Sequence, residues 1–416
     1  MIPLEEARQI VLSQLRPLPP VTLALDEALG CVASGPVVAS GPIPDFANSQ
    51  MDGYALRSTD AVAGCRLRVV GTVVAGQSAD FSVGVGEAVR IMTGAPIPPG
   101  ADAVCMVERT VTEDGGAVVV LEGPVRPGEY VRLPGEDVKE GEVVIESGTV
   151  LGPGHLGVLA SLGVASVAVH RRPRVGVLST GDELVTSVGS LRPGAVRDAN
   201  RPTLLALARS SGFAAADLGI VADDEDRIGA ALSEAAEHCD AIVTSGGVSV
   251  GDRDYVKTVL DKMTDGSMRW MQVAIKPAKP FAFGTLVATG TPVFGLPGNR
   301  VSAMVSFEMF VRPALRKLAG HHRLDRPRFA AVADEDLGRA VDGKLHLVRV
   351  VAKLGDDGRV HVRSSGGQAS HMLLSMARAN ALALLPDGDG ARRGDLVQVM
   401  LLDAEGLTAP GAEGSA

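Results

Sequence analysis

At residues 243–255 the chain reads VTSGGVSVGDRDY, a short apolar lead followed by glycines, hydroxyls and acids. Gly246 and Gly247 would let backbone N–H groups approach an anion, and Ser245 and Ser249 add hydroxyl donors. Asp252 and Asp254 would repel a phosphate unless a divalent cation stood between them. Phosphate loop, metal site and plain turn are therefore all open. The same residue types recur after three other apolar runs. Ser179, Thr180, Gly181, Asp182 and Glu183 follow RVGVL, Asp223 and Asp224 follow DLGIV, and Pro297, Gly298 and Asn299 follow PVFGL. Each segment alone reads as turn chemistry. Four of them on one sheet edge read as a single site in which phosphate cradle and metal carboxylates combine. The stretch AIKPAKPFAFG adds Lys276 and Lys279, held extended by Pro277 and Pro280. Two fixed ammonium groups suit an oxyanion, and the competing reading is a pair of solvated lysines.

The elements that must position these residues alternate. Apolar runs RVGVLST, ADLGIV, AIVTSGG, RWMQVAI, PFAFGTL and PVFGLPG are separated by helical patterns at 201–211, 226–238, 254–263 and 301–318. This predicts a doubly wound α/β domain over 171–320, with ligands at the carboxyl ends of its strands. Residues 1–44 read as helical, with a second short helix at 26–33. Residues 45–140 are rich in short β runs between Gly and Pro turns. The segment 141–170 carries a helix after Pro153 and is expected to return to the N-terminal helices. The β segment is then an insertion between two pieces of one helical domain. Residues 321–410 turn β-rich again and predict a small barrel or sandwich.

Composition narrows the function classes. The 416 residues carry a net charge of −9, unevenly spread. Residues 1–170 have 10 basic and 20 acidic groups, whereas 171–320 have 18 and 16. The middle segment is thus the part best suited to face an anion. Aromatics are 3%, too few for a base-stacking platform, and there is no basic stripe, so no nucleic-acid partner is expected. No apolar run reaches the roughly 18 residues that span a bilayer. The early acids of MIPLEEARQIVLSQL disagree with a signal peptide, so a cytoplasmic, non-membrane protein is expected. Cys31, Cys65, Cys105 and Cys239 show no CxxC or zinc spacing and read as reduced thiols. No GxxxxGK[ST], no GxGxxG opening the α/β segment and no convincing nucleophilic triad is present.

Taken together, NSQMDGYALR, IMTGAPIPPGADAVCMVE, GEDVKEGE, RVGVLSTGDELV, VRDANR, TSGGVSVGDRDY, IKPAKPFAFG, GLPGNRVSAMVSFE and SHMLLSMARANALALLP resemble the MoeA family. These are the molybdopterin molybdenumtransferases, whose eukaryotic relatives form a domain of gephyrin. The resemblance runs in order along residues 1–405. It implies a four-domain homodimer that takes adenylylated molybdopterin and molybdate, with Mg²⁺, and releases AMP. It implies an active cleft shared between subunits, to which Asp52, Thr93 and Asp137 belong. Physics alone would not single those three out.

By position the resemblance makes Glu183 and Asp254 the Mg²⁺ ligands, with Asp223 or Asp224 nearby. Thr180–Asp182 and Ser245–Ser249 become the phosphate cradle, with Asn299 on the pterin side after Pro297 and Gly298. Lys276, Lys279 and Arg197 would meet molybdate or phosphate charge. Transient contact with an adenylyltransferase and with acceptor molybdoenzymes is implied as well. Two positions depart from the family pattern: Gln272 where some relatives carry lysine, and Ala278 where glycine is usual. The rival readings are an adenylyltransferase-like enzyme on the same α/β domain and a non-catalytic pterin-binding scaffold. The MDGYA and MTGAP stretches speak against the first. The retained acids speak against the second, since charge beside a phosphate loop is costly without a metal.

Overall fold

The structure is a computed structural model that describes residues 1–78, 82–186, 191–247, 255–404 and 406–407. The chain divides into two compact units. The larger contains residues 1–21, 30–32 and 170–416, and the smaller contains 22–29 and 33–169.

The larger unit is built on a six-stranded sheet. Its strands are β1 (Arg174–Thr180), β2 (Ala214–Val221), β3 (Ala241–Ser245), β4 (Arg269–Gln272), β5 (Pro280–Thr285) and β6 (Pro292–Leu296), in spatial order β2-β1-β3-β6-β5-β4. The first four of that order run parallel, and β5 and β4 are antiparallel additions. All five residues of β3 and of β6 are buried, as strands covered on both faces must be. Successive residues feed opposite cores. Val177 and Val243 pack with Leu204, Phe294 and Val301. Leu178 and Ile242 pack with Ile228, Leu232 and Val259. Helices therefore cover both faces, and the fold is doubly wound. After β1 the chain steps to one side for β2 and then to the other for β3. The carboxyl ends of β1 and β3 consequently flank the switch point, where an open crevice forms.

The C-terminal strands Arg328–Ala333, Leu345–Leu354, Val360–Ser364, Ala381–Leu385 and Leu396–Leu401 close into a five-stranded barrel, because 345–354 pairs with both 360–364 and 381–385. Closure leaves these five strands without a free edge. Ile275–Lys276 attaches alongside Leu345–His346, so the run expected as one strand, RWMQVAI, breaks after Gln272. Its second half serves the barrel.

The smaller unit contains a six-stranded mixed sheet in the order 103–106, 53–56, 87–91, 66–73, 118–121, 110–113. The return segment rejoins earlier residues: Val143–Ile145 pairs antiparallel with Val37–Val38, and Ala33 N–H donates to Thr149 O at 2.9 Å. The helix Pro153–Ser161 forms after Gly152 with proline in its first turn.

The expected all-helical reading of 1–44 does not hold. Only Leu4–Ser13 is a full helix, and Leu4, Ala7, Val11 and Leu15 bury in the α/β core beside Met309 and Leu315 rather than on the return segment. After Pro17, Pro19 and Pro20 the chain forms short strands and a single turn of helix at Leu25–Ala28. Proline removes the donors a helix needs, and the β-branched Val21 and Thr22 favour extension. The expected helix 301–318 contains a π-helical turn at Phe307–Val311, whose Met309 carbonyl accepts from Arg8. No described helix is long and apolar enough to cross a membrane.

Candidate functional site

A cavity of about 280 Å³ opens at the switch point. It is lined by Thr180 and Glu183 after β1, Ser245 and Gly246 after β3, and Gly298 and Asn299 after β6. Three of the four polar strand ends thus line one space. The fourth, after β2, supplies Asp223, whose backbone N–H donates to Asp182 Oδ1 at 3.2 Å while Asp182 N–H donates to Asp223 Oδ2 at 3.4 Å.

Its wall is organised by the segment RDANR. Asn200, 8% exposed, donates from Nδ2 to Ser245 Oγ and to Gly298 O, each at 2.7 Å. A carbonyl can only accept, so the amide orientation follows from chemistry. One side chain thereby ties the ends of β3 and β6 together. Asp198, whose side chain is 2% exposed, accepts from Ser179 Oγ at 3.1 Å and from Arg201 N and Nε at 3.1 and 2.9 Å. Arg201 also pairs with Asp217. The buried charge is thus paired and hydrogen-bonded, as burial requires. A two-residue parallel pairing, Leu184–Val185 with Val196–Arg197, holds Glu183 and Arg197 on the rim.

The glycines have different steric reasons. A Cβ on Gly181, at φ +145°, would lie 2.6 Å from the Glu183 carboxylate. A Cβ on Gly247, at φ +70°, would lie 2.3 Å from Val256 Cβ. Both turns therefore exclude side chains, which also keeps their backbone groups accessible. The acids beside them crowd one another. Burial, with added repulsion from Asp182 and Glu183, raises the Asp223 carboxyl above its ordinary range. Asp224 is occupied elsewhere, as N-cap of the helix Glu225–His238, accepting from Arg227 N at 2.9 Å.

Comparison with known proteins decides the family. Residues 2–163 match the description "MoeA N-terminal region (domain I and II)", 176–317 match "Probable molybdopterin binding domain", and 338–402 match "MoeA C-terminal region (domain IV)". The molybdopterin molybdenumtransferase of Haemophilus influenzae is 40% identical over 393 residues, covering 94% of this chain and 96% of that protein. The molybdopterin molybdenumtransferase 2 of Mycobacterium tuberculosis is 37% identical, covering 92% and 95%. The chain belongs to the molybdopterin molybdenumtransferase family. A crystal structure of the MoeA protein from Pyrococcus horikoshii matches with a TM-score of 0.79 at 27% identity, covering 97% of this chain and 100% of that one.

Against this family frame, the residues expected from sequence fall into groups. Thr180, Glu183, Arg197, Ser245, Gly246, Gly298 and Asn299 line the cavity. Gly181, Asp182, Gly247 and Pro297 lie in the same turns but are not among the lining residues. Lys276 and Lys279 are exposed and are not among the lining residues. Ser249 and Asp254 lie outside the described residues. In the smaller unit, Thr93 donates to Asp52 Oδ1 from its backbone N–H at 2.7 Å and its hydroxyl at 2.9 Å. Those two bonds, helped by Arg90, hold the Asp52 carboxyl below its ordinary range. Asp137 is exposed, with its backbone N–H on Ile43 O at 3.0 Å. Asp198, Asn200, Arg300 and His371 line the cavity but escaped the residue-level reading. The first three stand inside VRDANR and GLPGNR, and His371 inside SHMLLS, so the signal was present as motif without an assigned role.

Proposed function

We propose that this protein works in molybdenum cofactor biosynthesis as a molybdopterin molybdenumtransferase, inserting molybdenum from molybdate into molybdopterin. The observation that carries this is the cavity at the β1/β3 switch point, within the segment that matches the molybdopterin-binding domain. Relatives named molybdopterin molybdenumtransferase match along nearly the whole chain.

The substrate we propose is the adenylylated pterin, with release of AMP. In this reading the Gly246 and Gly298 turns and the hydroxyls of Thr180 and Ser245 receive phosphate oxygens by N–H and O–H donation. Asn200 and Asp198 keep these turns in register. Arg197 offsets ligand charge on the rim. The carboxylates fit Mg²⁺ in donor chemistry, because hard oxygen ligands suit a hard cation. Among the described residues no three or more metal-ligating side chains form a cluster. Glu183 and Asp254 would hold the ion, which when bound would neutralise the crowded acids and polarise a phosphoanhydride. Lys276 and Lys279 are proposed for molybdate, and Asp52, Thr93 and Asp137 for a cleft shared in a cytoplasmic homodimer. Brief contact with the adenylyltransferase that supplies substrate and with acceptor molybdoenzymes belongs to the same reading.

The test is incubation of the purified chain with adenylylated molybdopterin, molybdate and Mg²⁺, following AMP and active cofactor together. Molybdate-dependent AMP release is expected. Binding of the pterin without molybdate-dependent turnover would leave a scaffold and overturn the enzymatic reading.

A further inference from the structure

Two groups on the cavity wall have no role in the reading above. Arg300 follows Asn299 directly and begins the helix Arg300–Ser306, and His371 comes from the barrel's connecting segment; both line the cavity. Among the described residues neither side chain has a hydrogen-bond or ion-pair partner. Neighbouring arginines of the same unit behave differently. Arg171 pairs with Asp240, Arg201 with Asp198 and Asp217, and Arg326 with Glu308. Each of these three is held by carboxylates, whereas Arg300, without a partner among the described residues, has its donors free for a ligand.

The imidazole is brought there by an anchored segment. Arg349 is fully buried, and its Nη2 donates to Gly367 O at 2.7 Å and Ala369 O at 3.3 Å, while Nε donates to Ser375 Oγ at 3.0 Å. Gln368 closes a reciprocal pair with the Arg349 backbone, accepting at 2.9 Å and donating at 3.0 Å. The next turn touches the helix that Arg300 begins, where Val301 N–H donates to Ser370 O at 3.4 Å. The barrel loop and the α/β helix thus meet within one residue of both groups.

We infer that Arg300 and His371 form an anion clamp that grips the phosphate end of the ligand in this cavity, making the barrel loop a specificity element. This rests on the proposed function, which places a phosphate-bearing pterin here. The guanidinium supplies a planar fork of donors, and an imidazole offers at least one N–H in either charge state. Among the described residues, Glu183 is the one acid on the wall not already paired with an arginine, since Asp198 is held by Arg201. The clamp therefore sets the sign of charge that the wall accepts.

The experiment is calorimetric titration of the full-length chain with adenylylated molybdopterin, and with AMP alone, at several salt concentrations. Arg300→Ala and His371→Ala should each weaken binding about tenfold, the double variant about a hundredfold, with charge-assisted hydrogen bonds as the basis. Arg300→Lys should recover part of the loss, and Arg300→Ala should flatten the dependence of affinity on salt. Weaker binding of the pterin with unchanged AMP binding would place the clamp on the pterin phosphate; loss of both would place it on the nucleotide phosphate. Either supports the clamp. Wild-type binding with variants within twofold and an unchanged salt slope would overturn it while leaving the proposed function standing. Failure of the wild type to bind either probe would overturn the proposed function and the clamp together. Circular dichroism of each variant, expected unchanged at these solvent-accessible positions, separates lost contacts from lost fold.

Discussion

Asn200 is the most economical place to test how the cavity is held together. Its Nδ2 donates to Ser245 Oγ and Gly298 O, both at 2.7 Å, and joins the helix start 200–210 to the ends of β3 and β6. Asn200→Ala deletes both bonds. Net losses of about 1 kcal/mol per bond apply, and Ser245 is only 3% exposed, so water replaces its lost partner poorly. Gly298 is an exposed residue, so its share is the smaller. We expect a destabilisation of about 2 kcal/mol. Asn200→Asp keeps the volume but aims a carboxylate oxygen at the Gly298 carbonyl, replacing attraction with repulsion beside a wall that must accept an anion. That variant should cost about 3 kcal/mol and lose more ligand affinity than the alanine. Because the chain has two units, a single unfolding midpoint is a poor measure. Amide exchange at buried β3 and β6 positions under native conditions reads the local loss directly. The decisive pattern is Asp worse than Ala in both exchange and calorimetric affinity. Two variants within about 0.5 kcal/mol of wild type, with unchanged affinity, would show that the strand ends are set without this residue.

Two further variants follow from the backbone and from the acids. Ala278 sits at φ +77° and is 2% exposed, a conformation in which a branched side chain is strongly disfavoured. Ala278→Val should cost roughly 2 kcal/mol or more, while Ala278→Gly should stay within about 0.5 kcal/mol, because strain relief is offset by the lost methyl and by unfolded-chain entropy. A tolerated valine, measured by denaturant midpoint, refutes the strain. The Asp223 carboxyl is raised by burial and by Asp182 and Glu183, so its ionisation opposes folding. Its favourable contribution is present below the unfolded value of about 3.9 and is lost as pH rises through the raised folded value. Asp223→Asn should therefore be more stable than wild type at neutral pH, with the gap closing as pH falls toward 4 and closing also when Mg²⁺ is added to wild type. A gap that widens in acid would reverse the sign.

The architecture was legible because each element announced itself locally. The strands β1, β3 and β6 carry the unbroken apolar runs VGVL, AIV and PVFGL, and the helix Glu225–His238 opens on a capping Asp224. The failures came where a local pattern had two possible partners. The Leu4–Ser13 face is equally apolar whichever surface receives it, and nothing in its spacing selects the α/β core. RWMQVAI reads as one strand, yet its last residue, Ile275, pairs with Leu345 on a barrel strand seventy positions later. The π-helical turn at Phe307–Val311 was not legible in its own run, and its Met309 carbonyl accepts from Arg8, a residue some three hundred positions away.

The site was legible to the extent that it is made of turns, and obscure where it depends on pairing. Net charge pointed to 171–320 as the anion-facing segment, but charge counts do not distinguish occupied cations from available ones. Arg171, Arg201 and Lys262 raise that count and are held by Asp240, by Asp198 with Asp217, and by Glu225. Once these are removed, Arg300 stands out on the cavity wall as an arginine with no partner among the described residues. A further donor on that wall, His371, lies outside the segment 171–320. Asp224 shows the same effect for acids: beside Asp223 in sequence it looks equivalent, yet its carboxylate is committed to a helix N-terminus while Asp223 meets Asp182. Residue type narrows the chemistry, but which groups remain free to perform it is settled by the partners the fold brings to each.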